Sequence, residues 1–312
     1  MERRTVRLAG PGTLGSHVHA RVLGETTALL VEGTQRALRL RTQGRSAARG
    51  SLPPWIEAAS DVVLSVGGST ERWSGPTLLH VELPTLLQAA PGTFGQLEMF
   101  PELDLSRTSF DYLVDSMSAA VSPAGDDALY DVPFLEFLRK QSSIFDAGVD
   151  TMAFVDGAGR SRTLLELTIG SLRGLQSLEE TIPPPQRMRI AGQLDTIRAS
   201  DLSFVLVLDD GSKVRGVADS ASSLKEHWKT PVVVSGRGFY TSKQRIQRIE
   251  ADHIVPATKR DLEVWGVAPP AEISVPHLRR PQGPRSGLAA VINRWPGDES
   301  DEEIARALRA MS

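Results

Sequence analysis

The side chains of this sequence best suited to chemistry are basic and aromatic residues interleaved between positions 204 and 248. The candidate set is Lys213, Arg215, Arg237, Phe239, Tyr240, Lys243, Arg245 and Arg248. Cations that track a phosphate backbone, with rings on which bases stack, are what single-stranded nucleic acid requires. We therefore predict a nucleic-acid interface, with salt-sensitive oligonucleotide binding that charge reversal at Arg237, Lys243 and Arg245 abolishes. The alternative is that Phe204 and Phe239 are core residues and the charges form a solvated face.

The histidines give no recognisable metal site. His17 and His19 are two residues apart, a spacing that allows both to face one ion from a strand. Their surroundings instead predict the start of a helix, where side chains two apart point about 200° away from each other. The remaining histidines show no ligand spacing, so we predict no metal ligand.

Motifs for catalysis are also missing from the sequence. The segment Gly67-Gly68-Ser69-Thr70 follows a strand, but it lacks the spacing and the lysine of a phosphate-binding loop, and a hairpin turn is the better interpretation. Asp126-Asp127 and Asp209-Asp210 both fall in turn sequence. There is no cysteine and no Gly-x-Ser-x-Gly elbow to supply a nucleophile. We predict no catalytic residue and no cofactor, and we favour a binding protein over an enzyme.

Residues 187–257 carry the alternating apolar pattern and the turn signals of a small all-β module. Asp209-Asp210-Gly211 predicts a tight hairpin between the second and third strands. Ser220–Trp228 predicts a short helix, after which Pro231 opens the fourth strand. This β-β-β-α-β-β order, the GQLDTI segment and the DDG turn resemble the OB-fold, a five-stranded barrel whose helix lies between strands three and four. The alternative is an SH3-like barrel.

Residues 1–182 predict an α+β domain, with a split near residue 106 as the alternative. The predicted strands are Thr5–Leu8, Val62–Val66, Leu78–Leu83 and Met152–Val155, the second and third of them forming a hairpin. The predicted helices are His17–Leu40 as one helix or two, one from Pro53, Phe110–Val121, Pro133–Phe145, and one opened by a capping box at Thr163–Glu166. The domain is therefore expected to be rich in helix after residue 107.

Proline-rich and charged segments set the predicted boundaries. Residues 183–186, with Pro183-Pro184-Pro185, are predicted to be an extended linker before the barrel. Residues 258–312 are predicted to be a linker followed by a docked helix that begins at a capping box, Ser300–Glu303. The WPGDESDEE run in this tail resembles tails of bacterial proteins, some of them encoded near toxin–antitoxin genes. That resemblance implies no particular chemistry.

Composition and charge are those of an ordinary globular protein with an uneven charge distribution. The net charge is −3, with no cysteine and no stretch of 18 apolar residues, which suits a cytoplasmic protein with no membrane partner. Residues 51–182 carry seven Lys/Arg against nineteen Asp/Glu, whereas residues 183–257 carry eleven against eight. We therefore expect a non-enzymatic binding or regulatory protein whose barrel contacts single-stranded nucleic acid. The alternative is a protein-interaction module that engages a partner through the acidic 51–182 region or the tail.

Overall fold

The computed structural model describes residues 1–13, 15–48, 50–67, 75–94, 103–122, 124–157, 162–198 and 201–271. The chain divides into two units, Met1–Glu272 and Ile273–Ser312, and the described residues all belong to the first. The helix predicted for the tail lies outside the described residues. Among those residues the structure has no helix that combines the length and the apolar character of a membrane span.

The N-terminal part is an α+β domain built on one antiparallel sheet. Its strands are β1 (Glu2–Ala9), β2 (Val63–Gly67), β3 (Thr77–Leu83), β4 (Thr151–Asp156) and β5 (Thr163–Thr168). They lie in the order β2-β3-β1-β4-β5, and every neighbouring pair is antiparallel. Strands β1 to β4 with their intervening helices follow the split β-α-β arrangement of ferredoxin-like sheets. Strand β5 extends that sheet at one edge, and β2 forms the other.

Helices cover one face of this sheet. They are α1 (Ala20–Gln43), α2 (Pro54–Ala59), α3 (Leu86–Ala89), α4 (Pro91–Phe94), α5 (Ser109–Val121), α6 (Val132–Lys140), α7 (Ser143–Asp146) and α8 (Ile169–Thr181). Alternate residues of the strands, such as Leu79 and Val81 of β3, are fully buried against α1 and α5. Phe110 of α5 contacts Phe154 of β4, with ring centroids 5.7 Å apart. This single core holds the sheet and helices together.

The long helix predicted for residues 17–40 is one continuous helix, α1, that ends where Gly44 adopts a left-handed φ of 69°. Gly44 donates its backbone N–H to the Leu40 carbonyl at 3.0 Å, which closes the last turn as a glycine C-cap does. The Gly24 and Gly33 positions do not interrupt the helix. The end of α1 touches the barrel, because the Gly44 carbonyl accepts a hydrogen bond from Arg248.

Two predicted helices differ from those observed. The segment Thr163–Glu166 does not open a helix: it is part of β5, paired with β4, and the helix begins at Ile169 with Thr168 as its cap. The alternation that buries Leu165 and Leu167 explains this, because a strand with one buried face requires that period. The helix predicted over Pro133–Phe145 is two helices, α6 and α7, separated at residues 141–142.

The second part of the unit is a closed five-stranded barrel. Its elements are β6 (Gln186–Arg198), β7 (Ser203–Val207), β8 (Lys213–Ala218), α9 (Ala221–Glu226), β9 (Pro231–Tyr240) and β10 (Ile246–Pro256), followed by α10 (Lys259–Trp265). The strands close in the order β10-β8-β7-β6-β9, and β8 and β10 pair in parallel. This order, with the helix between the third and fourth strands, is that of the OB-fold and not of an SH3-like barrel. The predicted Asp209-Asp210-Gly211 hairpin is confirmed, with Gly211 at φ 78°.

Glycine inside the barrel makes room for a large ring. A Cβ built on Gly216 of β8 would overlap the ring of Phe204 in β7, which is almost fully buried. We expect Gly216→Ala to lower the free energy of unfolding by about 1–3 kcal/mol, because the ring must move in a packed core. Urea denaturation measures this.

Gly174 provides the matched control. It lies in α8, and a Cβ built there meets nothing within 4 Å. Gly174→Ala should therefore raise stability by about 0.5–1 kcal/mol, since alanine favours the helix. Equal effects of the two substitutions would contradict the packing explanation for Gly216.

Candidate nucleic-acid interface

A groove of about 860 Å³ lies on the barrel, along its first three strands, β6, β7 and β8. It is lined by Asp195, Thr196 and Arg198 of β6, Val205 of β7, Ser212 to Arg215 at β8, Thr241 and Gln244 to Gln247 at the β9–β10 loop, Ala268 to Pro270, and Asp126 and Ala128 of the N-terminal domain. In OB-folds the face of strands two and three, flanked by the loop between strands four and five, holds oligonucleotides and oligosaccharides. The groove occupies that position.

Cations outnumber carboxylates in the lining of this groove. The cationic side chains are Arg198, Lys213, Arg215 and Arg245, and the carboxylates are Asp126 and Asp195. Val205 and Ile246 add apolar surface between them. The strand alternation explains the outward direction of Lys213, because its neighbour Val214 is buried. A lining of this kind suits an anionic chain with apolar faces.

The loop between β9 and β10 forms one side of the groove and is a tight turn. Thr241 and Arg245 pair through a backbone hydrogen bond of 2.8 Å, and Gln244 adopts a left-handed φ of 63°. Asp127 of the N-terminal domain holds this turn from outside the barrel: its carboxylate accepts the Lys243 backbone N–H at 3.0 Å and pairs with the Arg245 guanidinium. The groove wall is thus fixed by a residue more than 100 positions away in sequence.

The carboxyl of Asp127 has no exposed surface, and its pKa lies below the ordinary value. Burial acts to raise this pKa, but hydrogen bonds from Thr241, Arg245 and the Lys243 backbone outweigh that effect and lower it. Asp127 is therefore held as an anion where the two domains meet.

Arg248 of β10 makes a second contact between the barrel and the N-terminal domain. Its guanidinium donates to the Gly44 carbonyl at 3.1 Å and lies 3.8 Å from the carboxylate of Asp131, which is also buried. It also pairs with Glu250 at 3.4 Å and covers the ring of Phe239, 3.7 Å from the ring centroid. The end of α1 and the start of α6 thus meet the barrel at one buried cation.

Further hydrogen bonds complete this domain contact. Gln247 donates to the Tyr130 carbonyl at 2.9 Å, and the Tyr130 hydroxyl lies 2.9 Å from the Ser242 hydroxyl. Arg198 donates to the Thr42 carbonyl at 3.1 Å. Buried polar groups need such partners, and these hydrogen bonds supply them from across the contact. The barrel is therefore docked on the helical layer of the N-terminal domain.

The structure places the sequence-predicted candidates in three different settings. Lys213, Arg215 and Arg245 line the groove. Lys243, Tyr240 and Arg248 lie at the domain contact or in the core: the Lys243 ammonium donates to the Gly125 carbonyl at 3.3 Å, and the other two are buried. Phe239 is half-buried beneath Arg248, and Arg237 is exposed on β9, outside the groove lining.

The sequence analysis did not single out Asp195, which belongs to the groove, or Trp228, which contacts Asp195 from outside the groove lining. Asp195 lines the groove, and the Trp228 indole donates to the Asp195 carbonyl at 3.2 Å. The helix predicted over Ser220–Trp228 includes Trp228 at its end, whereas α9 ends at Glu226. The signal that could have found it is a tryptophan placed in the short connection between a predicted helix and the strand opened by Pro231.

The other residues considered for metal binding or catalysis have structural roles or lie outside the described residues. His19 precedes α1 as its N-cap residue, and His17 lies before it. Within the described residues there is no group of three or more His, Asp or Glu side chains that could hold a metal ion. Asp210 accepts the Ser212 backbone N–H at 2.8 Å within its hairpin. Gly67 ends β2, and Gly68-Ser69-Thr70 lies outside the described residues.

Comparison with models of protein families, with curated proteins and with solved structures finds no significant match to this chain.

Proposed function

We propose that this protein is a non-enzymatic nucleic-acid-binding protein whose barrel holds the ligand in the groove between β6–β8 and the β9–β10 loop. The observation that carries the proposal is the position of a cation-rich groove on the face that OB-folds use for oligonucleotides. Its volume of about 860 Å³ accommodates a short stretch of chain, and the rest of a longer ligand would extend over its open ends.

The charge of the groove supports an anionic ligand over a neutral one. Lys213 and Arg215 of β8 line the groove, and Arg245 of the β9–β10 loop lines it from the side. Contacts of this kind neutralise phosphates and release counterions, so the affinity of the complex falls with added salt. A neutral oligosaccharide would show no such dependence on salt.

Charge reversal at Lys213 provides the direct test. We expect Lys213→Glu to weaken oligonucleotide binding about tenfold or more at low salt and to reduce the slope of log affinity against log salt by about one. Fluorescence anisotropy with labelled DNA and RNA oligonucleotides at about 50 and 200 mM salt measures both quantities.

Arg237→Glu, which the sequence alone predicts to abolish binding, is instead the matched control, because Arg237 is an exposed cation of the same barrel that does not line the groove. It should leave binding within about twofold of wild type at about 200 mM salt, where long-range charge effects are screened. Reversal of Lys243 or Arg245 is a poorer test, since both contact the N-terminal domain. Binding that is absent, or insensitive to salt, at low ionic strength would rule out the proposal.

A protein partner is the second candidate, and the edge strand β2 favours it. Within the described part of the chain β2 pairs with β3 alone, and its Val63 and Val66 are 49% and 41% exposed. An exposed strand edge with apolar side chains and no charge is a surface that another strand can extend. The strand belongs to the acidic 51–182 region, which suits a basic partner.

The partner hypothesis is tested by purification from the native host. A stoichiometric protein that accompanies the wild-type chain but not a Val66→Lys variant would support it, because lysine blocks edge pairing. A wild-type chain that purifies alone as a monomer would contradict it.

A further inference from the structure

Trp228 is an exposed tryptophan whose ring is nevertheless held in place. Its side chain is 58% exposed, yet its indole N–H donates to the Asp195 carbonyl at 3.2 Å. Asp195 is the extra residue of a β-bulge, where the pairing of β6 with β7 shifts between Leu194 and Thr196. A bulge leaves a backbone group outside the strand ladder, and here its carbonyl accepts the indole. This hydrogen bond orients the ring, although most of the side chain stays exposed.

The turn that carries Trp228 is tied to β6 by its backbone. Lys229 donates its N–H to the Leu194 carbonyl at 2.8 Å, and Leu194 donates to the Thr230 carbonyl at 3.2 Å. The Gln193 side chain donates to the Lys229 carbonyl at 3.3 Å. These bonds make the turn an extension of the strand that borders the groove, so the backbone that carries Trp228 and Lys229 is fixed relative to β6.

Lys229 has a left-handed backbone conformation, with φ at 58°. A residue with a Cβ is uncommon there, and the conformation costs roughly 1–2 kcal/mol where glycine would adopt it freely. The conformation lies next to a functional candidate: the Lys229 ammonium is 5.4 Å from the centroid of the Trp228 ring. The chain therefore accepts a strained lysine that sets a cation against an exposed ring.

We propose that Trp228 is a stacking platform for an unpaired base of a single-stranded nucleic acid, and that Lys229 contacts the phosphate beside that base. This inference rests on the proposed function, since the backbone of the bound nucleic acid would continue from Trp228 through the groove toward Lys213. Lys213 lies two strands away from the Asp195 bulge, through the pairing of β6 with β7 and of β7 with β8, or about 10 Å across the sheet. That distance is spanned by a few nucleotides of extended chain.

The combination of ring and cations selects the ligand class. Base faces in a duplex are covered by their neighbours, so a protein ring stacks only on a base that is unpaired or splayed out. A sugar ring also packs on tryptophan, but a neutral sugar makes no use of Lys229 and Lys213. No aromatic side chain lines the groove itself within the described residues, which leaves Trp228 at its edge to supply the stacking surface.

The experiment compares affinities of the full chain for a labelled single-stranded oligonucleotide and for a blunt duplex of the same length. We expect wild type to prefer the single strand, and Trp228→Ala to lower that affinity about tenfold or more. Trp228→Phe should retain most of the affinity, because phenylalanine still offers a ring. Binding of the single strand should quench less tryptophan fluorescence in both variants than in wild type, because both lack the Trp228 indole.

Trp265→Ala is the matched control, as Trp265 is a partly exposed tryptophan of α10 that does not line the groove. It should bind the single strand as wild type does. Thermal unfolding of each variant shows whether the barrel is intact, and removal of an exposed side chain is expected to change it little.

The outcomes separate the two proposals. If Trp228→Ala binds the single strand as wild type does while Lys213→Glu does not, the stacking platform is wrong and the groove stands. If wild type binds the duplex as tightly as the single strand, the platform is equally contradicted. If wild type binds neither, the proposed function itself fails.

Discussion

Replacing Arg248 by alanine should lower the free energy of unfolding by about 3–5 kcal/mol. The guanidinium is almost fully buried between the barrel and the N-terminal domain, where it meets the Gly44 carbonyl and the buried carboxylate of Asp131. Removing one member of a buried ion pair leaves the other charge without compensation in a medium that solvates it poorly. The Phe239 ring would also lose the cation that covers it.

Two further variants make this prediction specific. Arg248→Lys keeps the charge but loses the planar fork, so it should fall between wild type and alanine. Arg187→Ala removes an arginine that is also paired, with Asp252 at 3.8 Å, but whose side chain is 88% exposed. That control should change stability by less than about 0.5 kcal/mol. Urea denaturation of the three variants gives the comparison, and a loss under about 1 kcal/mol for Arg248→Ala would show that the contact is not buried in solution.

The barrel was predictable from the sequence because the sequence patterns that specify its strands and turns are local. Period-two alternation, the Asp-Gly turn and the proline before β9 each fix an element within a few residues, and the order of the elements then indicates the OB-fold. The failure at Thr163–Glu166 has the same origin. A Thr-x-x-Glu spacing is only a local pattern, and the pairing of that segment with β4 overrides it.

The site was harder to predict because its geometry depends on contacts distant in sequence. Arg248 and Lys243 look like surface cations in an alternating strand and a turn, yet their partners lie at Gly44, Gly125 and Asp131, more than 100 residues earlier. No periodicity encodes such pairing. Lys213 is different, since it directly follows a predicted hairpin and alternates with buried Val214, so its exposure followed from its strand alone.

The same docking links the N-terminal domain to the proposed ligand site. Arg245 lines the groove and is also the partner of buried Asp127, so the domain contact and the groove share one side chain. A ligand phosphate near this loop would compete with Asp127 for Arg245. The N-terminal domain therefore does more than carry the barrel, because it sets the position of one groove wall.

Replacing Asp127 by asparagine should lower the free energy of unfolding by about 3 kcal/mol at about pH 7, the second large effect expected in this protein. Asparagine has the same shape but no charge, so the hydrogen bonds from Arg245, Thr241 and the Lys243 backbone are weakened or lost. Hydrogen bonds to a charged group contribute about 1.5–3 kcal/mol each, and the exposure of Arg245 reduces its share through solvent screening. The matched control is Asp126→Asn, since Asp126 is mostly exposed and pairs with the same arginine only at 3.8 Å.

The pH dependence of this effect has a definite sign. The pKa of Asp127 is lower in the folded chain than the unfolded value of about 4, so its charge stabilises the fold fully above that value. As the pH falls from about 4 through the folded pKa, the carboxyl becomes protonated in both states and this contribution disappears. The stability difference between wild type and Asp127→Asn should therefore be constant from about pH 7 to about pH 5 and shrink at lower pH.

Other carboxyls that titrate, such as Asp111 beside Arg4, cancel in this difference because both proteins contain them. A difference that stayed constant down to about pH 2.5, or that grew on acidification, would show that Asp127 is not held as an anion by the barrel loop, and the fixed groove wall would then lose its physical basis.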